Sequence, residues 1–255
     1  MLEAFVFILG ICIGSFLNVC IYRIPRSQSI VFPGSKCPSC GTRLKALDLI
    51  PLLSYLALKG KCRHCGVPVS ARYFFVELLT GILFVSIYFT YGLTWHTPIF
   101  WTLTSILIAA SFIDYEFHII PNGLVLAGFA VALLANLSGY NIPFLEGVYG
   151  LAVGGGFLGI VALASLLLLK KEGMGGGDIK LMAMVGLFIG WQATALALML
   201  AVLSAALVSL LLMALKLLKR GDHIPFGPFL AIGSLLAILY GNEIINWYIL
   251  VFWAL

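Results

Sequence analysis

The chain has 255 residues, 62% of them hydrophobic and only 10% charged, with a formal net charge of +5 and a mean hydropathy of +1.11. A soluble domain carries about 25% charged residues, so a soluble enzyme is excluded and an all-α polytopic membrane protein is expected. The positive charge gives no sign of nucleic-acid binding, because the basic residues sit at the borders of apolar runs.

Taken in chain order, the apolar segments predict about eight transmembrane helices, at 3–22, 74–91, 98–114, 121–138, 147–169, 179–190, 191–217 and 227–252. A span needs about 20 apolar residues, and it must be helical because lipid offers the backbone no hydrogen-bond partners. The first run has no basic residue before it, unlike a secretory signal, so it is expected to be retained as a helix. With eight spans, all fifteen Lys and Arg residues fall on one side of the membrane, and 92–97, 139–146 and 190–191 carry none. The positive-inside rule then places the basic loops in the cytoplasm and both termini outside. Three parts follow: a first helix (1–22), a polar cytoplasmic segment (23–73) and a seven-helix bundle (74–255).

The polar segment holds "CPSC" at 37–40 and "CRHC" at 62–65, two C-x2-C pairs separated by 21 residues. Four thiolates so spaced can surround Zn²⁺ tetrahedrally. Cytoplasmic reducing conditions disfavour disulfides there. Cys37, Cys40, Cys62 and Cys65 are therefore expected to bind structural zinc, since four protein ligands leave the metal no open catalytic position. A small module of this size needs such a staple. Redox-active or isolated thiols are the other reading. Gly41 and Gly66 suit the turn after each pair, His64 is expected to be a bystander, and Cys12 and Cys20 to be packing residues.

Ionisable groups inside membrane spans are costly and point to function. Asp114 closes the third apolar run in "AASFIDYEFHIIPN", and Asp178 opens the sixth after Gly175, Gly176 and Gly177. Both fall at the same depth by the charge map. Two carboxylates that meet can share a proton, hold a water and exchange acid and base roles. Glycines there would give an extended peptide strand room against the backbone. Asp is also a favoured helix N-cap, and spacing does not establish that the two helices touch. Glu77, at the start of the second span, reads either as a carboxylate for an amine or cofactor or as a helix-end acid paired with Arg72.

Several motifs carry a family resemblance. "GMGGGD" at 173–178 contains G-x-G-D through Gly175, Gly177 and Asp178, and "FIDYEFHIIPN" at 112–122 carries Asp114. With "GSFLNVCIYRIP" at 14–25, the two cysteine pairs and "SARYFFVELLTG" at 70–81, these resemble the type IV prepilin peptidases, the prepilin leader peptidase/N-methyltransferases. The order of motifs agrees over nearly the whole chain. Phe74-Phe75 departs from the expected proline-containing step after Arg72-Tyr73.

The resemblance implies an aspartic endopeptidase of the bacterial inner membrane. It would cut the leader from prepilins or pseudopilins at the cytoplasmic face with Asp114 and Asp178, then methylate the new N-terminus with S-adenosylmethionine. Gly175, Gly176 and Gly177 would face the substrate strand, and Glu77 would serve the methyl donor. The partners implied are prepilins and the lipid bilayer. A proton-coupled transporter using membrane carboxylates, and a zinc-stapled assembly protein whose acids cap helices, are the alternatives.

Overall fold

The computed structural model describes residues 1–170, 173–217 and 224–252, and among them it is helical, with short 3-10 turns and two isolated β-bridges. The basic residues Lys171, Lys219 and Arg220 lie outside the described residues. The chain divides into two compact units, Met1–Gly92 and Leu93–Leu255.

In the first unit, α1 (Leu2–Arg23) packs against α3 (Arg72–Tyr91), with the short α2 (Leu53–Ala57) between them in sequence. Small residues set this crossing: a Cβ added at Gly10 would stand 2.8 Å from the Gly81 Cα, and one at Gly14 would stand 2.7 Å from the Glu77 Cα. Close backbone approach through glycine is how membrane helices gain packing when lipid supplies no hydrophobic drive. The paired positions run in opposite directions, so the helices are antiparallel. Buried Asn18 extends the seam, its amide nitrogen donating to the Gly14 and Tyr73 carbonyls at 3.3 and 3.1 Å. The helix α3 begins at Arg72 and runs unbroken through Phe74-Phe75.

The second unit contains α4 (His96–Phe117), α5 (Asn122–Leu137), α6 (Phe144–Leu169), α7 (Gly176–Ala214) and α8 (Gly227–Phe252). Its tightest seam joins α6 to the first arm of α7, where Gly150 meets the Gly186 backbone and Gly154 meets that of Met182. Gly154 also faces Thr194. Met182 and Thr194 are twelve positions apart, about 18 Å on a straight helix. The chain therefore doubles back, and it does so at Gly190, whose φ of 75° and ψ of 175° are non-helical. That region is essentially restricted to glycine.

The carbonyls exposed before the bend are claimed by two asparagines. Asn136 donates to the Leu187 carbonyl at 2.8 Å, and Asn141 donates to that of Phe188 at 2.8 Å and to the Asn136 Oδ1 at 2.9 Å. The sequence expectation of a break near Gly190 and Trp191 thus corresponds to a hairpin of two helical arms. Among the described residues, six helices are each long and apolar enough to cross a membrane, α7 being taken as one, and α5 is a shorter apolar helix. Large apolar side chains such as Phe5, Leu126, Leu167 and Leu207 are exposed along them, which suits a lipid environment.

Candidate active site and metal centre

Asp114 lies in the last turn of α4 and is buried. The helix continues three residues past it, to Phe117, further than the hydropathy placed the boundary. It ends at His118, which adopts left-handed backbone at φ 54° and donates its N–H to the Asp114 carbonyl at 2.8 Å. The three residues 119–121 then lead into α5. This tight return is what keeps the Asp114 end of α4 beside the start of α5.

Asp178 is half-buried in the first turn of α7. It is not the N-cap: Gly175 holds that position, and the Asp178 N–H donates to the Gly175 carbonyl at 3.2 Å. The expected capping role of Asp178 is therefore not seen: no side chain caps this end of α7. The Asp178 carboxylate is within electrostatic reach of Asp114, whose negative charge opposes its own. The two aspartates, which sequence spacing alone could not relate, thus lie within electrostatic range at the ends of α4 and α7.

The three glycines are not equivalent. A Cβ on Gly177 would press on Ile120 at 3.0 Å, while Gly176 has nothing within 4 Å of that position. Gly175 and Gly176 are exposed. Gly177 therefore allows the start of α7 to approach the α4–α5 turn, and Gly176 opens outward. Lys180 adds a second link across the same gap, its Nζ donating to the Asn122 Oδ1 at 3.2 Å.

Sequence reading missed one participant. The Gly227 N–H, at the first residue of α8, donates to the Asp114 Oδ2 at 2.9 Å. Its residue type carries no reactive side chain, so only the turn-like "IPFGP" at 224–228 marked the place.

The four cysteines converge in the first unit, with the Sγ atoms of Cys37, Cys40, Cys62 and Cys65 all within 4.8 Å of one another. Cys37 and Cys65 Sγ are 3.9 Å apart. A tetrahedral metal with 2.3 Å metal–sulfur bonds would hold its sulfurs about 3.8 Å apart, so the cluster fits a metal ion. The two knuckles are built alike. Cys37 N–H donates to Thr42 and Gly41 N–H to Cys37, and Cys62 N–H to Val67 and Gly66 N–H to Cys62, at 2.9–3.0 Å. Gly41 and Gly66 both have positive φ, 72° and 71°, which L side chains rarely adopt.

Thr42 lies beside the first pair, the Cys40 thiol donating to its Oγ1 at 3.3 Å. Hydrogen bonds with Thr42 hold the Cys40 thiol down to about 6, and backbone bonds from Cys65 and His64 lower that of Cys62. Burial and the neighbouring sulfurs push the Cys65 thiol up to about 11. The four sulfurs thus share charge unevenly, with Cys40 and Cys62 favouring the thiolate that a metal requires. Arg63, between the second pair of cysteines, bonds Asp48 at 2.6 Å and so ties the second knuckle to the 3-10 turn at Ala46–Leu49.

Glu77 is buried on α3. It accepts from the Leu52 N–H at 2.8 Å, so it fastens the start of α2 to α3. It also lines a cavity of about 970 Å³, whose walls include Tyr22, Arg23, Tyr55, Arg72 and Tyr73.

Comparison with known proteins bears on both regions. Residues 8–91 match the bacterial peptidase A24 N-terminal domain, and residues 101–210 match the type IV leader peptidase family. A prepilin leader peptidase/N-methyltransferase of Aeromonas hydrophila is 39% identical, covering 96% of this chain and 92% of its own. Proteins of the same name from Aeromonas salmonicida and Pseudomonas putida are 38% and 36% identical, covering 96% and 93% of this chain and 92% and 90% of theirs. No solved structure matches the chain.

Proposed function

Because the chain belongs to the prepilin leader peptidase/N-methyltransferase family, we propose that Asp114 and Asp178 are the pair that hydrolyses the leader bond of type IV prepilins or pseudopilins. What supports this reading is that Asp114 and Asp178, at the ends of α4 and α7, lie within electrostatic range of each other on segments that match the type IV leader peptidase family. One carboxylate takes a proton from a water held between them as that water attacks the scissile carbonyl, and the other donates to the carbonyl oxygen. No observation favours the transporter reading.

The glycine run supports the same role. Gly175 and Gly176 are exposed beside Asp178, where an extended substrate could lie against the backbone, and Gly177 brings α7 close enough for the pair to form. The protein is a multi-pass membrane protein. The charge map supports the bacterial inner membrane, with the dyad and the cysteine module facing the cytoplasm.

In the first unit, Cys37, Cys40, Cys62 and Cys65 would hold Zn²⁺ as a structural staple. S-adenosylmethionine supplies an activated methyl group for the new N-terminal amine. The cavity bordered by Glu77 has room for it, with Glu77 placed to meet a positively charged donor or amine.

The test is incubation of the detergent-purified protein with a prepilin peptide and labelled S-adenosylmethionine. Released leader and label on the mature N-terminus are expected. Intact substrate from a folded, metal-loaded preparation would reject the reading.

A further inference from the structure

Asp114 makes a contact that two-carboxylate chemistry does not by itself require. Its Oδ2 accepts the Gly227 N–H at 2.9 Å, and both residues are buried. A Cβ added at Gly227 would stand 2.7 Å from that oxygen and 3.1 Å from the Asp114 Cβ and Cγ. The α8 backbone therefore lies against the carboxylate with no space for a side chain. Gly227 opens a helix of 26 residues, so its N–H has no intrahelical acceptor. Asp114 is the partner that satisfies it.

We propose that Gly227 is a positioning residue of the peptidase: its amide holds Asp114 Oδ2, which leaves Oδ1 as the oxygen that works with Asp178 on the water. This rests on the dyad reading above. An amide donates to a lone pair, so an oxygen so engaged is poorly placed to carry the shuttled proton as well. The N-terminal end of α8 also carries partial positive charge, which favours a carboxylate at this spot. The site is accordingly assembled from three helices, α4, α7 and α8. The charged groups acting on Asp114 are Asp178 from α7 and His118 from its own helix end.

Gly227→Ala tests this in the full-length protein. The added methyl displaces the carboxylate and lengthens the amide contact. A misplacement on the order of 1 Å costs about 100-fold in rate, so kcat for leader removal is expected to fall by that order with KM little changed. The acid limb of its pH–rate profile is expected to move to higher pH, because a carboxylate that loses a donor keeps its proton longer. An unchanged kcat, or a reduced kcat with the acid limb in place, overturns the proposal.

A second measurement leaves Gly227 in place and uses an Asp114→Ala variant that keeps the native thermal unfolding transition. Hydrogen exchange at the Gly227 amide is expected to be at least about tenfold slower in the native protein than in Asp114→Ala, since the contact is the amide's protection. Equal rates overturn the proposal. If instead the contact is confirmed but Asp114→Asn still cuts prepilin normally, the dyad reading is what fails.

Discussion

Gly177 packs against Ile120 so closely that a Cβ there would meet the isoleucine Cβ at 3.0 Å, whereas the preceding Gly176 has open space at the same position. Two adjacent glycines in one motif thus answer to different demands. Gly177 sets how near α7 comes to the α4–α5 turn, and Gly176, which opens outward, would border the substrate strand under the proposed function. Gly177→Ala is expected to lower both the unfolding temperature and kcat. Gly176→Ala is expected to leave the unfolding temperature unchanged and to raise KM for prepilin. Thermal scans and cleavage kinetics on the two variants check this; identical behaviour would remove the distinction.

The bend at Gly190 is a second point where only glycine serves. Its conformation costs about 1–3 kcal/mol for other residues, so Gly190→Ala should destabilise the fold by that order. Asn136→Leu should also destabilise it, because it leaves the buried Leu187 carbonyl without its donor, at about 1–3 kcal/mol. Unfolding in denaturant, followed by tryptophan fluorescence, measures both.

The cysteine module should depend on its metal. A Cys37→Ser, Cys62→Ser double variant is expected to purify without zinc, and a strong chelator should lower the unfolding temperature of the native protein but not of that variant. Metal analysis and thermal unfolding are the measurements. Native protein without zinc would contradict the expectation.

The ion pair beside this centre gives a pH dependence. Arg63 next to Asp48 holds its carboxyl below the usual carboxylate range. A carboxyl lowered in the folded state stabilises above its unfolded value, about 3.9, and loses that contribution as pH falls through the lower folded value. Asp48→Asn should therefore unfold at a lower temperature than the native protein at pH 7. The gap should close as pH falls below about 4. A gap that persists in acid would assign the effect to packing.

Much of this was legible in the sequence, for definite reasons. The cysteine cluster could be read because two C-x2-C pairs state a ligand geometry locally. The break at Gly190 could be located because the basic residues sort to one side only if the chain turns there. Helix partners could not be read in this way. In lipid, apolar residues occur on every face of α6 and α7, so hydropathy does not mark the contact face, and the seam is made by glycine backbones. The Asp114–Asp178 approach belongs to that packing, and family resemblance, not spacing, supplied it in advance. Gly227 stayed hidden because it contributes an amide that every residue but proline possesses.

The most direct measurement is leader removal by Asp114→Asn and Asp178→Asn under single-turnover conditions, with methyl transfer to an already cleaved pilin peptide followed in the same preparations. Acid–base groups of this kind are each worth about 10²–10⁴ in rate. Both variants are expected to lose cleavage by at least that factor while retaining methyl transfer. Normal cleavage by either variant would contradict the assignment of Asp114 and Asp178 as the catalytic pair.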